Sequence, residues 1–126
     1  MRGWIRTVLL ALGLFAGLPA AALADQISDT LRDAARVYLQ GDFATALSLW
    51  RPLADQGNAM AMTNLGILYA KGEGVKQDYV RAHMWLSLAA SFGSAEAGKY
   101  RDVVASHMFP DQIAAAQKLE QAWTRK

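Results

Sequence analysis

Apolar residues recur at three- and four-residue intervals along most of the chain beyond residue 26, and short polar side chains or glycines punctuate them. That period is helical, so the sequence predicts an all-α chain. Ile27, Leu31, Ala34, Ala35 and Tyr38 define a first helix over 27–39, stopped at Gly41. Asp42 is placed to cap a second, with Phe43, Ala46, Leu47, Trp50 and Leu53 on one face and Gly57 as its stop. Pro52 lies late in that run and is expected to kink or shorten it. Asn58 then caps a helix over 59–70 carrying Leu65, Leu68 and Tyr69, and Asp78 caps one over 79–92 carrying Ala82, Trp85, Leu86 and Ala89. Ser94 opens a helix over 95–107 with Ala97, Tyr100, Val104 and Met108 on its stripe. Pro110 and Asp111 suit the first turn of a last helix, whose apolar face is Ile113, Ala116, Leu119 and Trp123.

The stretch from 65 to 93 organises the rest. Gly66, Ala82, Ala89 and Ala90 offer holes, and Tyr69, Trp85 and Leu86 offer the knobs to enter them, so two helices are expected to approach closely. One such hairpin cannot bury its own faces and needs neighbours of similar shape. A related unit lies upstream: Asp42, Phe43, Ala46, Gly57 and Ala61 stand 36 residues before Asp78, Tyr79, Ala82, Gly93 and Ala97. Tyr38 and Gly41 stand 31 before Tyr69 and Gly72, so the first unit lacks a five-residue turn insertion that the second has. The competing reading is two unrelated amphipathic helix pairs.

The run Leu65-Gly66-x-x-Tyr69-x-x-Gly72-x-Gly74-Val75-x-x-Asp78-x-x-x-Ala82-x-x-Trp85-x-x-x-Ala89-Ala90-x-x-Gly93 resembles a Sel1-like repeat, a relative of the tetratricopeptide repeat. The segment from Met108 through Trp123 is similar to the tail that closes many bacterial chains of that kind. The resemblance implies a short α-solenoid of antiparallel helix hairpins with a C-terminal capping helix, presenting a curved surface to protein partners. On this reading residues 25–126 form one domain, with units at about 27–57 and 58–93 and a degenerate cap at 94–126.

The N-terminus changes the picture of composition. Arg2 and Arg6 precede an apolar stretch over 7–18, and Ala22-Leu23-Ala24 supplies a small-residue processing site, so residues 1–24 read as a bacterial-type secretory signal cleaved between Ala24 and Asp25. The alternative is an uncleaved segment that anchors the chain, although the central apolar run of about a dozen residues falls short of the roughly 20 that a spanning helix needs. The mature product is expected in the periplasm or outside the cell, with no membrane insertion of its own. Of the 13 lysines and arginines, Arg2 and Arg6 leave with the signal, and the 11 that remain face 11 acidic residues. A neutral chain without basic clusters has no electrostatic footprint for nucleic acid. Cysteine is absent, which excludes disulfides, thiol nucleophiles and thiolate metal sites. Some exported Sel1-like proteins tie their hairpins with disulfides, and this chain departs from that pattern.

Catalytic chemistry is hard to find. His83 and His107 fall in different helices without a histidine or carboxylate at metal-binding spacing, no serine sits in a Gly-x-Ser-x-Gly or Ser-x-x-Lys setting, and Asp42 and Asp78 are explained as caps. The turn 71–75 follows a helix and lacks the Gly-Lys-Ser/Thr of a phosphate loop; its glycines suit a tight turn. No catalytic residue, cofactor or metal is expected. The function implied is a non-catalytic protein or peptide interaction module, an adaptor or scaffold of the bacterial cell envelope; the alternative is an exported hydrolase of cell-wall or β-lactam type, a label some exported Sel1-like proteins have carried. By analogy with tetratricopeptide arrays, the partner surface is expected on the inner face of each hairpin's first helix, next to the core stripe. That gives Asp29, Arg32, Arg36 and Gln40; Met60, Thr63, Ile67 and Lys71; and Glu96, Lys99, Val103 and His107. The lining so defined is mixed in charge, with Met60, Ile67 and Val103 as an apolar floor and Arg32, Arg36 and Lys99 open to acidic groups.

Overall fold

The computed structural model describes residues 17–126, so most of the expected secretory signal lies outside the described residues. Among those described the chain is all-helical: α1 (Ala20–Leu39), α2 (Phe43–Asp55), α3 (Ala59–Lys71), α4 (Tyr79–Ser91), α5 (Ala95–Ala105) and α6 (Pro110–Thr124). Four side-chain caps set the register. Asp42 accepts from the Thr45 amide at 3.2 Å, Asn58 from Ala61 at 2.9 Å, Asp78 from Arg81 at 3.1 Å and Ser94 from Ala97 at 3.1 Å. Each satisfies one amide that its helix cannot pair internally. The helix ends at 71, 91 and 105 fall within two residues of the expected 70, 92 and 107, and two larger points differ from the sequence reading. Helix α1 begins seven residues earlier, at Ala20, and runs through the expected cleavage point. Helix α2 continues past Pro52 to Asp55, because the proline comes so late that a single missing amide is tolerated.

Each of the first five helices packs on the next, giving a helical repeat solenoid in which α1, α3 and α5 form one layer and α2 and α4 the other. Helix α6 breaks the succession. It packs on α4 and barely touches α5, so the last two helices do not close into a hairpin. Trp123 explains the docking: its ring meets Trp85 at 6.5 Å and Phe92 at 5.8 Å, both edge-on. Such pairs add about 0.5–1.5 kcal/mol beyond their buried area.

The closest approach is between α3 and α4. A Cβ placed on Gly66 would lie 2.6 Å from Leu86 Cγ and 3.2 Å from the Ala82 carbonyl oxygen, so the glycine is the hole that Leu86 fills. Leu65, Leu68, Ala82, Leu86 and Ala89 are fully buried around that contact, with Tyr69 and Trp85 at its flanks. The turn between α3 and α4 reaches back to the first hairpin. Gly74, at φ +73°, sits so close to the Phe43 carbonyl that a Cβ would stand 2.9 Å from it. The Tyr38 hydroxyl donates to Glu73 Oε1 at 3.2 Å, and the Tyr38 ring packs on Phe43 and Trp50.

Gly66→Ala should destabilise the chain by about 1–3 kcal/mol through overpacking, read by urea unfolding. In a Leu86→Ala background the same substitution should cost far less, because the space is then open. An equal cost in both backgrounds would show that the contact with Leu86 is not what requires the glycine.

Candidate functional site

Helices α1 and α3 share little contact, and α3 and α5 only slightly more, so the odd-numbered layer is splayed. The gap is a cavity of about 470 Å³. Ala35, Tyr38 and Leu39 line it from α1, Asn64, Ile67, Ala70 and Lys71 from α3, and Tyr100, Val103 and Val104 from α5. Its floor comes from the other layer: Trp50, 3% exposed, and Leu86, fully buried. Its rim carries apolar side chains that water reaches, with Leu39 84%, Val103 60% and Tyr100 40% exposed. Lys71 is the charged lining residue, and its ammonium is already 3.6 Å from Glu73. The Trp50 indole N–H is buried without an acceptor. The arrangement is a largely apolar trough whose polar lining is Asn64, Lys71 and the hydroxyls of Tyr38 and Tyr100, suited to receiving apolar side chains rather than to bond making.

Of the twelve positions expected at a partner surface, the structure places Ile67, Lys71 and Val103 in this cavity. The others lie elsewhere. Asp29 and Arg32 pair at 3.3 Å along the exposed face of α1, and Arg36 pairs with Asp33 at 3.5 Å, so the two arginines are turned to solvent and to neighbouring acids. Gln40, Met60, Glu96 and Lys99 are exposed outside the trough. Thr63 is buried, its hydroxyl donating to the Ala59 carbonyl at 2.8 Å and lying 3.3 Å from the Ser94 hydroxyl, which can donate to it. His107 stacks on Tyr79, ring centres 5.6 Å apart. The mixed-charge lining is replaced by an apolar one because of the splay. Helices packed side by side would bury their stripes completely; splayed helices leave the upper edge of the stripes, Tyr38, Tyr100 and Val104, as trough wall.

A second group was not legible as a pair in the sequence. Ser87 Oγ lies 3.4 Å from His83 Nδ1, one turn apart on α4, and both are buried. Arg101, Gln117 and Glu120 border the same depression. Burial holds the His83 imidazole below the ordinary histidine range, the nearby Arg101 charge adds to this, and Asp102 opposes it. The contact is long for a hydrogen bond and follows from helical spacing alone, which makes it a packing contact of a neutral histidine. Among the described residues no group of three or more histidine or acidic side chains gathers at metal-binding distance.

The lowered value has a sign for stability. The unfolded chain takes up this proton more readily than the folded one, so the contribution is complete above the ordinary histidine value of 6.5 and is lost as pH falls below it. The melting temperature should therefore drop from about pH 7 to about pH 5 more steeply in the wild type than in His83→Gln. Parallel pH profiles of the two chains would remove His83 as the cause.

Residues 59–93, which span α3, the insertion turn and α4 to Gly93, match the family model described as Sel1 repeat. Comparison with curated proteins gives no match. Sel1 repeats are generally protein–protein interaction modules. The second hairpin thus carries that family's signature, and the match supports a Sel1-like repeat protein.

Proposed function

We propose that this chain is a non-catalytic interaction module of the bacterial cell envelope, holding an apolar segment of a protein partner in the trough between α1, α3 and α5. The observation that carries the reading is the convergence of exposed Leu39, Tyr100 and Val103, from the two outer helices, over a cavity floored by Trp50 and Leu86. Water-exposed apolar residues gathered on one concavity are the usual form of a site that is covered in use. A cavity of about 470 Å³ has room for two or three apolar side chains of a partner segment, with Asn64 available to its backbone. Placement in the envelope rests on the N-terminal pattern, two arginines, an apolar run and Ala22-x-Ala24. None of the described helices is long and apolar enough to cross a membrane.

A photo-crosslinking residue at position 67 or 103, introduced in cells, should yield a discrete adduct, whereas one at position 32 should not. Once that partner is purified, Ile67→Glu and Val103→Glu should each weaken its binding by about tenfold or more, while Arg36→Glu should leave it within about twofold. Equal crosslinking from position 32, or full affinity in both trough variants with folding intact, would move the partner off this face. Bulky residues at Ala22 and Ala24 should leave an unprocessed, membrane-held precursor; soluble chain beginning at Met1 would refute export.

A further inference from the structure

A second concavity lies in the other layer of the solenoid, where α2 and α4 meet α6 and Tyr69 of α3 reaches between them. Arg51 lines it. Its Nη2 donates to the Tyr69 hydroxyl at 2.8 Å, and its guanidinium lies 5.9 Å from the centre of the Trp85 ring. Among the described residues Tyr69 is the only acceptor it has, its Nε is buried without one, and no carboxylate stands within ion-pair distance. This is so even though Asp55 follows one turn later on α2 and borders the same hollow. A half-buried cation fixed by an aromatic face and a phenol, yet without a counter-ion, is costly to maintain unless something anionic completes it.

The surroundings define what that would be. Arg81 and Lys126 also border the hollow; Arg81 lies 5.9 Å over the Tyr69 ring and is paired with Asp78 at 3.5 Å, which leaves Arg51 and Lys126 as two basic side chains against the side-chain carboxylate of Asp55. Trp85 and Trp123, set edge-on to each other, line the same hollow. The hollow, about 320 Å³, therefore combines basic and aromatic side chains in one lining.

We infer that this hollow binds a carboxylate carried on a large apolar or aromatic group, with Arg51 as the anchor of the carboxylate and Trp85 and Trp123 as the wall for the apolar body. A guanidinium presents parallel donors that match a carboxylate, and its anchoring by Tyr69 and Trp85 means little side-chain freedom is lost on binding. The site is separate from the trough and does not depend on that reading. Its ligand is either the C-terminal residue of a peptide or a small organic acid, which share this chemistry.

The test uses the purified chain, with fluorescence of Trp85 and Trp123 as readout and N-acetylphenylalanine as probe. The acid should bind saturably below about 10 mM, and its uncharged amide at least about tenfold more weakly. Arg51→Met, which retains much of the stem, should weaken the acid by about tenfold or more, and Lys126→Gln by about threefold, with unfolding midpoints measured alongside. Should Arg51→Met not fold, the Lys126→Gln variant and the comparison of acid with amide carry the test. A peptide ending in phenylalanine with a free carboxylate, binding more tightly than the small acid, would identify a chain terminus as ligand; the reverse order would identify a small acid. Equal binding of acid and amide, unchanged affinity in folded Arg51→Met, displacement by equimolar inorganic phosphate, or no saturation would each overturn the assignment.

Discussion

The contact on which the rest of the structure depends is the seating of Leu86 against Gly66. It brings the α3 and α4 backbones closer than any residue with a Cβ at position 66 would allow. With α3 held on that side and α5 and α6 packed on the others, α4 is buried from Ala82 to Ala89, including the polar His83 and Ser87. A central helix buried in that way has no solvent face of its own, and its successive side chains are distributed between the two layers. Leu86 becomes floor of the trough, while its neighbour Trp85 becomes wall of the basic and aromatic hollow. One close approach thus places parts of both concavities.

Without disulfides, the two hairpins are joined by the packing of α2 on α3 and, beyond it, by the insertion turn. Glu73 accepts from Tyr38, and Gly74 lies against the backbone of Phe43, so the turn that belongs to the second unit is packed on the junction of α1 and α2. The turn glycines have two functions. Their positive φ values let the chain leave α3, and the missing Cβ of Gly74 allows backbone to touch backbone across the repeat boundary. The Tyr38 ring, held by that hydrogen bond and by Trp50, is at the same time part of the trough wall. Stability between units and the shape of the trough therefore share residues.

The helices were legible in the sequence because capping is local: Asp42, Asn58, Asp78 and Ser94 each act on an amide three residues away, and periodicity between caps fixes the buried stripe. The trough was legible only in part. Its helices follow from the repeat, and Ile67, Lys71 and Val103 are where spacing puts them, but the separation of α1 from α3 is a distance between elements that no local signal encodes. The same limit explains α6. Its apolar stripe was readable, whereas its choice of α4 over α5 is made by Trp123 meeting Trp85 and Phe92, residues more than thirty positions away. Arg51 shows the limit most sharply, since only the folded chain reveals a charged side chain beside Asp55 that does not pair with it.

Exposed apolar residues at the ends of a solenoid have an ordinary explanation, namely that a terminal repeat lacks the neighbour that would cover it. That explanation predicts that they point outward along the axis, away from one another. Leu39 and Val103 do the opposite: they come from the first and third helices of one layer and converge on a single cavity across α3. Among the described residues the apolar rim therefore belongs to the cavity that α1, α3 and α5 share rather than to the outward face of a terminal helix.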